Sequence, residues 1–195
     1  MKTRFLLPYL PDQDWLKGVV RAAQPVLDLQ SHFVKQTPRN RAYIVGPNGV
    51  QALVVPIQGR NKRQAFEDVK IAYQENWVRQ HVNAIRSAYG SAPYFEYLFP
   101  ALEAVLESKP EYLKDLNKAL LLGMLKALKL KIDFSESQSF ELGTDEKDHR
   151  SEFLERNLQA ESYPQVFQEK FGFVAGLSGI DRMMNDLAGI RQDVS

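Results

Sequence analysis

The stretch Phe5–Leu29, FLLPYLPDQDWLKGVVRAAQPVLDL, decides the fold of this chain. It begins with a short apolar run, Phe5–Leu10, which predicts a buried strand. Asp12 then stands where a helix N-cap is expected, just ahead of a helical repeat of apolar residues. Gln24-Pro25 ends that helix, and Val26–Leu29 predicts a second strand. A strand, a helix of about a dozen residues and another strand form a βαβ unit, so we expect the two strands to run parallel.

The rest of the chain adds a hairpin and several helices. Two apolar runs, Ala42–Val45 and Val50–Ile57, flank the turn sequence Gly46-Pro47-Asn48-Gly49, which is typical of a β-hairpin. Residues 75–89 follow a helical period, whereas residues 135–162 are polar and acidic and predict mostly loop. We therefore expect an α/β fold in one domain over the whole chain, with a mixed sheet, an N-terminal βαβ unit and hairpin, and a helix-rich C-terminal half.

Two capping-box patterns predict further helix starts. Ser108 with Glu111 opens a long apolar helix that runs to about residue 129. Ser178 with Asp181 opens another helix near the end of the chain. Between these helices, Leu130–Phe134 alternates in polarity and is predicted to rejoin the sheet.

The composition excludes several classes of protein. The 195 residues include no cysteine, so disulfide frameworks, thiolate metal sites and cysteine nucleophiles are excluded. No apolar run approaches the ~20 residues that a membrane-spanning helix needs, and we expect a cytoplasmic protein without membrane insertion. The sequence also lacks the glycine-rich dinucleotide motif, the phosphate loop, the serine-hydrolase elbow and the zinc-protease motif.

The charge is unevenly distributed along the chain, although the formal net charge is only +1. Residues 35–70 hold seven basic and two acidic side chains, a net charge of +5, and residues 130–165 hold four basic and nine acidic ones, a net charge of −5. The basic region predicts a small anionic substrate. A pI of 7.9 and the lack of an aromatic stacking platform argue against nucleic acid as the partner.

Candidate catalytic groups lie after the second predicted strand and on the first long helix. Asp28 ends the strand and His32 follows in a loop, a placement that favours a site because ligands bind at the carboxyl ends of strands in α/β sheets. A carboxylate beside an imidazole can fix its tautomer, as a general base requires. The alternative is that Asp28 caps a turn and His32 is solvated. His81 lies on an apolar helix face, where a histidine is either a catalytic base or a hydrogen-bonded core residue. A metal site made of these three residues and Asp148 is disfavoured because no two of them have ligand spacing, and no cofactor is expected.

Candidate anion-binding groups occupy two loops. Lys35, Asn40 and Arg41 follow His32 along the chain, and a second loop carries Arg60 and Arg63 beside a glycine. Arginine forks match phosphate oxygens, and glycine lets backbone amides approach a ligand. The alternative is that the second loop only makes the surface more polar.

Several of these segments, taken in order, resemble the WbqC-like proteins of bacteria. The resemblance spans about residues 6–188 and rests on the order and spacing of the following pieces: Leu7-Pro8-Tyr9-Leu10-Pro11, the Asp28–His32–Lys35 loop, Arg39-Asn40-Arg41, Gly49 to Pro56, Asn76-Trp77 with His81, Ser87-Ala88-Tyr89, Pro93-Tyr94-Phe95, Asp148 with Arg150, Tyr163 with Gln165 and Phe167, and Leu177-Ser178 with Asp181.

The resemblance implies a role in bacterial surface-polysaccharide (O-antigen) biosynthesis, with a transferase activity supposed for the family. It assigns polar roles to the matching positions, which are His32, Lys35, Asn40, Arg41, His81, Asp148 and Arg150. Many relatives begin with Gln-Pro or His-Gln-Pro where this chain has Leu7-Pro8, so chemistry that depends on that His or Gln cannot occur here.

Two hypotheses of function follow. The first is a transferase that acts on a phosphate-bearing activated donor, either a nucleotide sugar or an acyl or aminoacyl donor. In it Arg41 and the loop with Arg60 and Arg63 hold the anion, and His32 or His81 acts as the base, oriented by Asp28 or Asp148. The alternative is a non-catalytic ligand-binding or assembly module of the same pathway. Both expect His32, Asn40, Arg41, His81 and Arg150 to share one cleft.

Overall fold

The computed structural model describes residues 1–59 and 63–194, and its first three elements form the predicted βαβ unit. Strand β1 spans Lys2–Leu6, helix α1 spans Gln13–Arg21 and strand β2 spans Gln24–Asp28. The two strands pair in parallel. Asp12 caps α1 as predicted, because its side-chain oxygen accepts a hydrogen bond from the Trp15 amide at 2.8 Å.

Strand β1 ends at Leu6, so the prediction that it continues to Leu10 is wrong. The two prolines that follow have no N–H to donate to a strand ladder. The Tyr9 amide donates instead to the Pro38 carbonyl at 2.8 Å, and Leu10 adopts a left-handed φ of 48°. The segment Leu7–Pro11 therefore leaves the sheet and becomes the wall of a cavity described below.

Two short strands complete a parallel sheet in the order β5-β2-β1-β6. Strand β5 spans Ser135–Glu136 and pairs with β2, and strand β6 spans Glu146–Asp148 and pairs with β1. Leu130–Phe134 is not a strand, and the chain rejoins the sheet immediately after it. Neither short strand has an apolar pattern, and β6 is stabilised by an ion pair between Glu146 and Arg4 of β1.

The predicted hairpin forms a second sheet of its own. Strand β3, Arg41–Gly46, pairs antiparallel with strand β4, Gly49–Val54. Gly49 has a φ of 101°, which a residue with a Cβ rarely adopts. The parallel strands and the antiparallel hairpin thus lie in separate sheets, so the prediction of one mixed sheet is wrong.

Helices make up most of the remaining regular structure. Their bounds are α2 Trp77–Tyr89, α3 Phe95–Glu107, α4 Leu113–Leu128, α5 Gln168–Phe171, α6 Gly179–Asn185 and α7 Leu187–Asp193. One hydrophobic core joins all of these helices except α5 to both sheets and runs from Phe5 to Val194, whereas α5 buries none of its residues. The predicted α/β class, with its βαβ unit, hairpin and helix-rich C-terminal half, is confirmed. Across the part of the chain that the structure describes, no helix is long and apolar enough to cross a bilayer.

The capping box predicted at Ser108 is wrong. Helix α4 begins five residues later, and the Ser108 hydroxyl donates to the Val105 carbonyl at 2.7 Å. The amide of Leu113, at the start of α4, donates to the Val69 carbonyl at 2.9 Å. A backbone group of another loop therefore replaces the side-chain cap.

The capping box predicted at Ser178 is half right. The Ser178 side chain accepts from the Ile180 amide at 3.4 Å and so caps α6. Asp181 instead accepts from the hydroxyls of Tyr89 and Tyr163, each at 2.8 Å. Burial raises the pKa of the Asp181 carboxyl, and these hydrogen bonds tie α2 to α6 inside the core.

Candidate functional site

The first polar cluster lies at the carboxyl end of β2. Asp28 is the last residue of that strand and is fully buried. Its Oδ2 accepts from Arg39 Nη2 at 2.6 Å, while its Oδ1 lies 3.8 Å from Arg150 Nη1 and 4.0 Å from Arg4 Nη1. Arg4 reaches Asp28 because their strands pair in parallel and the two residues lie diagonally across the ladder on one face. One carboxylate is thus surrounded by three guanidinium groups.

Two further carboxylates balance the positive charge of the three guanidinium groups. Glu146 pairs with Arg4, and Asp148 accepts from Arg150 Nη2 at 2.8 Å. The hydrogen bonds from Arg150 lower the pKa of the Asp148 carboxyl. We name this set the strand-end cluster, whose members are Arg4, Asp28, Arg39, Glu146, Asp148 and Arg150. Its three cations face three anions, so the cluster offers little net charge to a ligand.

His32 lies beside the strand-end cluster on the surface. Its ring is exposed and stacks on Phe140 at a centroid distance of 6.1 Å, and Arg150 lies 5.1 Å from the same aromatic ring. Its backbone carbonyl accepts from Arg39 Nη1 at 3.1 Å. The structure therefore brings His32, Asp28, Asp148 and Arg150 to the same edge of the sheet, but the partners of Asp28 are guanidinium groups rather than an imidazole.

His81 occupies the core. It is 5% exposed, its Nδ1 lies 2.9 Å from the Tyr9 hydroxyl, and the ring of Trp77 packs edge-on at 5.0 Å. Burial lowers the pKa of His81 from 6.5 to about 4, although a hydrogen bond with the Val54 backbone opposes the shift. The imidazole is therefore neutral near pH 7 and holds Tyr9 in place from behind.

Asn40 fixes the loop that leads into the hairpin. Its Oδ1 accepts from the Gln36 amide at 3.1 Å, and its Nδ2 donates to the Val55 carbonyl at 3.0 Å. Gln36 has a left-handed φ of 61°, so this side-chain bond supports a strained turn. Lys35 lies at the start of the same turn and is exposed.

Arg41 lines a separate cavity of about 390 Å³, which we call the Arg41 cavity. Its Nη1 lies 3.3 Å from the Tyr43 hydroxyl, whereas its buried Nε has no hydrogen-bond partner among residues 1–59 and 63–194. Most of the wall is apolar and comes from residues 8–11, from Trp15 and from residues 153–156 and 158. An apolar hollow with a few directed polar groups is the usual form of a small-molecule site.

Asp12 lines the same cavity, a second role that the sequence analysis did not predict. Besides capping α1, it is half-buried, and burial raises the pKa of its carboxyl from 3.8 to about 6 despite the bond from the Trp15 amide. The only available sequence signal was the pair of prolines before it, which forces the chain out of the sheet beside the carboxylate. A carboxylate with such a pKa can accept a proton near neutral pH.

The segment 153–158 covers one side of the Arg41 cavity and is held there by Arg156. The guanidinium of Arg156 donates to the carbonyls of Gly176 at 2.7 Å and Ala175 at 2.9 Å, and it lies 4.6 Å from the Tyr43 ring centroid. A Cβ at Gly176 would meet the Cβ of Arg156 at 2.9 Å, so glycine is required for this close approach. The guanidinium of Arg156 is thus committed to structural contacts, in contrast to that of Arg41.

The candidates predicted from sequence are therefore distributed over several places rather than one cleft. The strand-end cluster and its surroundings hold Asp28, His32, Asp148 and Arg150. His81 is in the core, Arg41 lines its own cavity, and Lys35 and Asn40 line the next one. Arg63 is exposed, and Arg60 lies outside the described residues. Among the described residues, no group of three or more His, Asp or Glu side chains could hold a metal ion.

The fold and the Arg41 cavity define an α/β protein with a concave, partly apolar site of the kind that holds small molecules. The chain belongs to the WbqC-like protein family, whose model matches residues 8–164. This confirms the family that the sequence motifs predicted, and the matched range includes Asp12, Arg41 and the whole strand-end cluster except Arg4. No curated protein and no solved structure matches the chain.

Proposed function

We propose that this protein is a cytoplasmic transferase of bacterial surface-polysaccharide biosynthesis, which binds a phosphate-bearing activated donor in the Arg41 cavity. The donor is a nucleotide sugar or an acyl or aminoacyl donor. The observation that carries the proposal is the guanidinium of Arg41, which borders a cavity of about 390 Å³ and makes one side-chain hydrogen bond, to Tyr43, among the described residues. The family resemblance supports the pathway, and the basic character of residues 35–70 supports an anionic ligand.

Arg41 is suited to hold the phosphate of the donor. Its guanidinium makes one side-chain hydrogen bond among the described residues, a 3.3 Å contact with Tyr43, so a phosphate oxygen could accept charge-assisted hydrogen bonds from its terminal nitrogens. Tyr43, 3.3 Å away, offers a hydroxyl beside the guanidinium. The apolar wall that includes Pro8, Pro11 and Trp15 would pack against the uncharged part of the donor.

Asp12 is the group best suited to act as the base in this cavity. In the transfer, an acceptor hydroxyl or amine attacks the electrophilic carbon of the donor and gives its proton to the Asp12 carboxylate. The bond between that carbon and the leaving group breaks, and for a nucleotide sugar the leaving phosphate departs as an anion stabilised by Arg41. His81 would act only as a positioning residue for Tyr9, because it is neutral and buried behind it.

The binding step is tested by calorimetry with two probes, uridine diphosphate for nucleotide-sugar donors and coenzyme A for acyl donors. We expect one of them to bind, and Arg41→Ala to weaken that binding at least about ten-fold, the equivalent of one lost charge-assisted hydrogen bond. The matched control is Arg79→Ala, since Arg79 is an exposed arginine of α2 away from the cavity. If neither probe binds, or if both variants bind like the wild type, the donor site is not here.

A second candidate function is a non-catalytic ligand-binding or assembly module. It is favoured by one specific observation, which is that His81 and Asp28 are both engaged in buried structural contacts. Asp12→Asn separates the two functions because asparagine caps a helix as well as aspartate and cannot accept a proton. A transferase loses turnover in this variant and keeps donor binding, whereas a binding module shows no turnover in either form.

A further inference from the structure

A second cavity lies on the other side of the loop that carries Arg41. Its volume is about 590 Å³, and its polar lining consists of Lys35, Gln36, Asn40, Gln58, Gln74 and Glu75, so we call it the amide cavity. Gln36 borders both cavities, while the consecutive residues Asn40 and Arg41 border one cavity each. The two hollows are therefore neighbours separated by a single turn of chain.

The polar groups of the amide cavity differ in kind from those of the Arg41 cavity. Four of the six are amides, and the remaining two, Lys35 and Glu75, have opposite charges. A primary amide carries both a donor and an acceptor, which matches a hydroxyl group that donates and accepts at once. The lining therefore suits an uncharged ligand with many hydroxyls better than it suits an anion.

One of these amides has a defined orientation. Gln58 Nε2 donates to the Ile71 carbonyl at 2.9 Å, and this bond fixes the amide and leaves its Oε1 to accept from a ligand. Pro56, Ile57 and Ala72 form an apolar wall beside it, against which the C–H face of a sugar ring can pack.

The turn between the cavities is rigidly supported. Gln36 has a left-handed φ of 61°, and its backbone N–H donates to Asn40 Oδ1. The Nδ2 of Asn40 donates in turn to the Val55 carbonyl. A strained turn that is fixed by hydrogen bonds on both sides keeps the two cavities at a constant position relative to each other. A transfer between two bound substrates requires such a fixed relative position.

We infer that the amide cavity binds an uncharged saccharide, which is the acceptor for the donor held in the Arg41 cavity. The inference rests on the proposed function for its acceptor role, while saccharide binding itself can be measured separately. It gives the two cavities distinct ligands, a phosphate-bearing donor on one side of the turn and a neutral glycan on the other.

The test is saturation-transfer NMR on the full chain, with glucose, galactose, N-acetylglucosamine and rhamnose as probes. We expect at least one sugar to receive saturation, and the double variant Gln58→Ala/Gln74→Ala to bind it about ten-fold more weakly through lost hydrogen bonds. Raising the salt from about 0.05 M to about 0.5 M should leave this signal unchanged, because the ligand is uncharged. Gln74→Ala alone is the second variant, in case the double variant folds poorly.

The controls separate this inference from the proposed function. Gln80→Ala removes an exposed glutamine of α2 outside the cavity, and Arg41→Ala removes the donor site; both should leave the sugar signal intact. The inference is overturned if no sugar receives saturation, if the signal survives in Gln74→Ala and the double variant, or if Gln80→Ala loses it equally. Donor binding without sugar binding would refute the inference alone. Sugar binding without binding of uridine diphosphate or coenzyme A would refute the proposed donor site and leave a saccharide site without an acceptor role.

Discussion

In the strand-end cluster, Asp28 is fully buried and three arginines lie within 4.0 Å of its carboxylate. Two arginines line the Arg41 cavity, but Arg156 is held by backbone carbonyls, so Arg41 is the one whose guanidinium borders the open volume. Arg39 belongs to the first region and Arg41 to the second, although only one residue separates them in sequence. Arg39 donates 2.6 and 3.1 Å hydrogen bonds to protein oxygens, whereas Arg41 makes one 3.3 Å side-chain contact among the described residues. The Nε of each is buried without a described partner, so the two arginines differ at their terminal nitrogens: those of Arg39 are bonded within the fold, and Arg41 borders a cavity that a ligand can enter.

The largest effect that this comparison predicts is on stability. Arg39→Ala leaves the buried Asp28 carboxylate without its closest partner, so it should lower the free energy of unfolding by about 3–5 kcal/mol. Arg41→Ala removes no short bond and should change it by less than about 1 kcal/mol. Urea denaturation of both variants measures the difference. Equal losses would mean that Arg39 and Arg41 contribute equally to the stability of the fold, so that Arg41 would have a structural role as well.

The local parts of this fold could be predicted from sequence, and the long-range polar contacts could not. Asp12 as a helix cap, the βαβ unit and the hairpin depend on neighbouring residues and on simple apolar periods. Strand β6 is a run of three charged residues, which only the pairing with Arg4 makes stable, and no periodicity signals it.

The candidate site was harder to predict for the same reason. The sequence predicted that Asp28 acts with the loop after it, but it could not show that Arg39 and Arg150 would neutralise that carboxylate. His81 lies on an apolar helix face, and the core interpretation of that pattern agrees with its burial. Asp12 was missed as a cavity residue because its exposure depends on where Leu7–Pro11 leaves the sheet.

The next largest predicted effect is the loss of folding stability at low pH that results from the burial of His81. Its pKa is 6.5 when unfolded and about 4 in the folded chain, so between these values the unfolded state binds more protons. Folding stability should therefore fall as the pH drops from about 6.5 to about 4, by about 3 kcal/mol from this group. The measurement is the free energy of unfolding across this range for the wild type and for His81→Gln, in which the loss should be smaller.

The matched control for this titration is the exposed histidine of the strand-end region. His32→Gln makes the same substitution at an exposed ring and leaves the contacts of His81 with Tyr9 and Trp77 intact. A pH profile of His81→Gln that parallels the wild type would show that acid destabilises the fold through other groups.

The smallest predicted effect is the pH dependence of folding stability that arises from Asp12. Its sign is opposite to that of His81. Burial raises the pKa of Asp12 from 3.8 to about 6, so the folded state binds more protons between these values and stability falls as the pH rises through them. Asp12→Asn removes this charge and keeps the cap, and it should raise the free energy of unfolding at pH 7 by about 2–3 kcal/mol while changing it little near pH 4.

A gain in stability from Asp12→Asn, together with a loss of transfer, would indicate that the chain keeps a destabilising carboxylate for its chemistry. Asp14→Asn is the control in the first turn of the same helix, where an acidic residue favours the helix N-terminus, and it should lower stability slightly at pH 7. The decisive result is the sign of the difference between the two variants, measured by denaturation at the same pH. If both lose stability alike, Asp12 is only a cap, and the Arg41 cavity has an anion-binding group but no base.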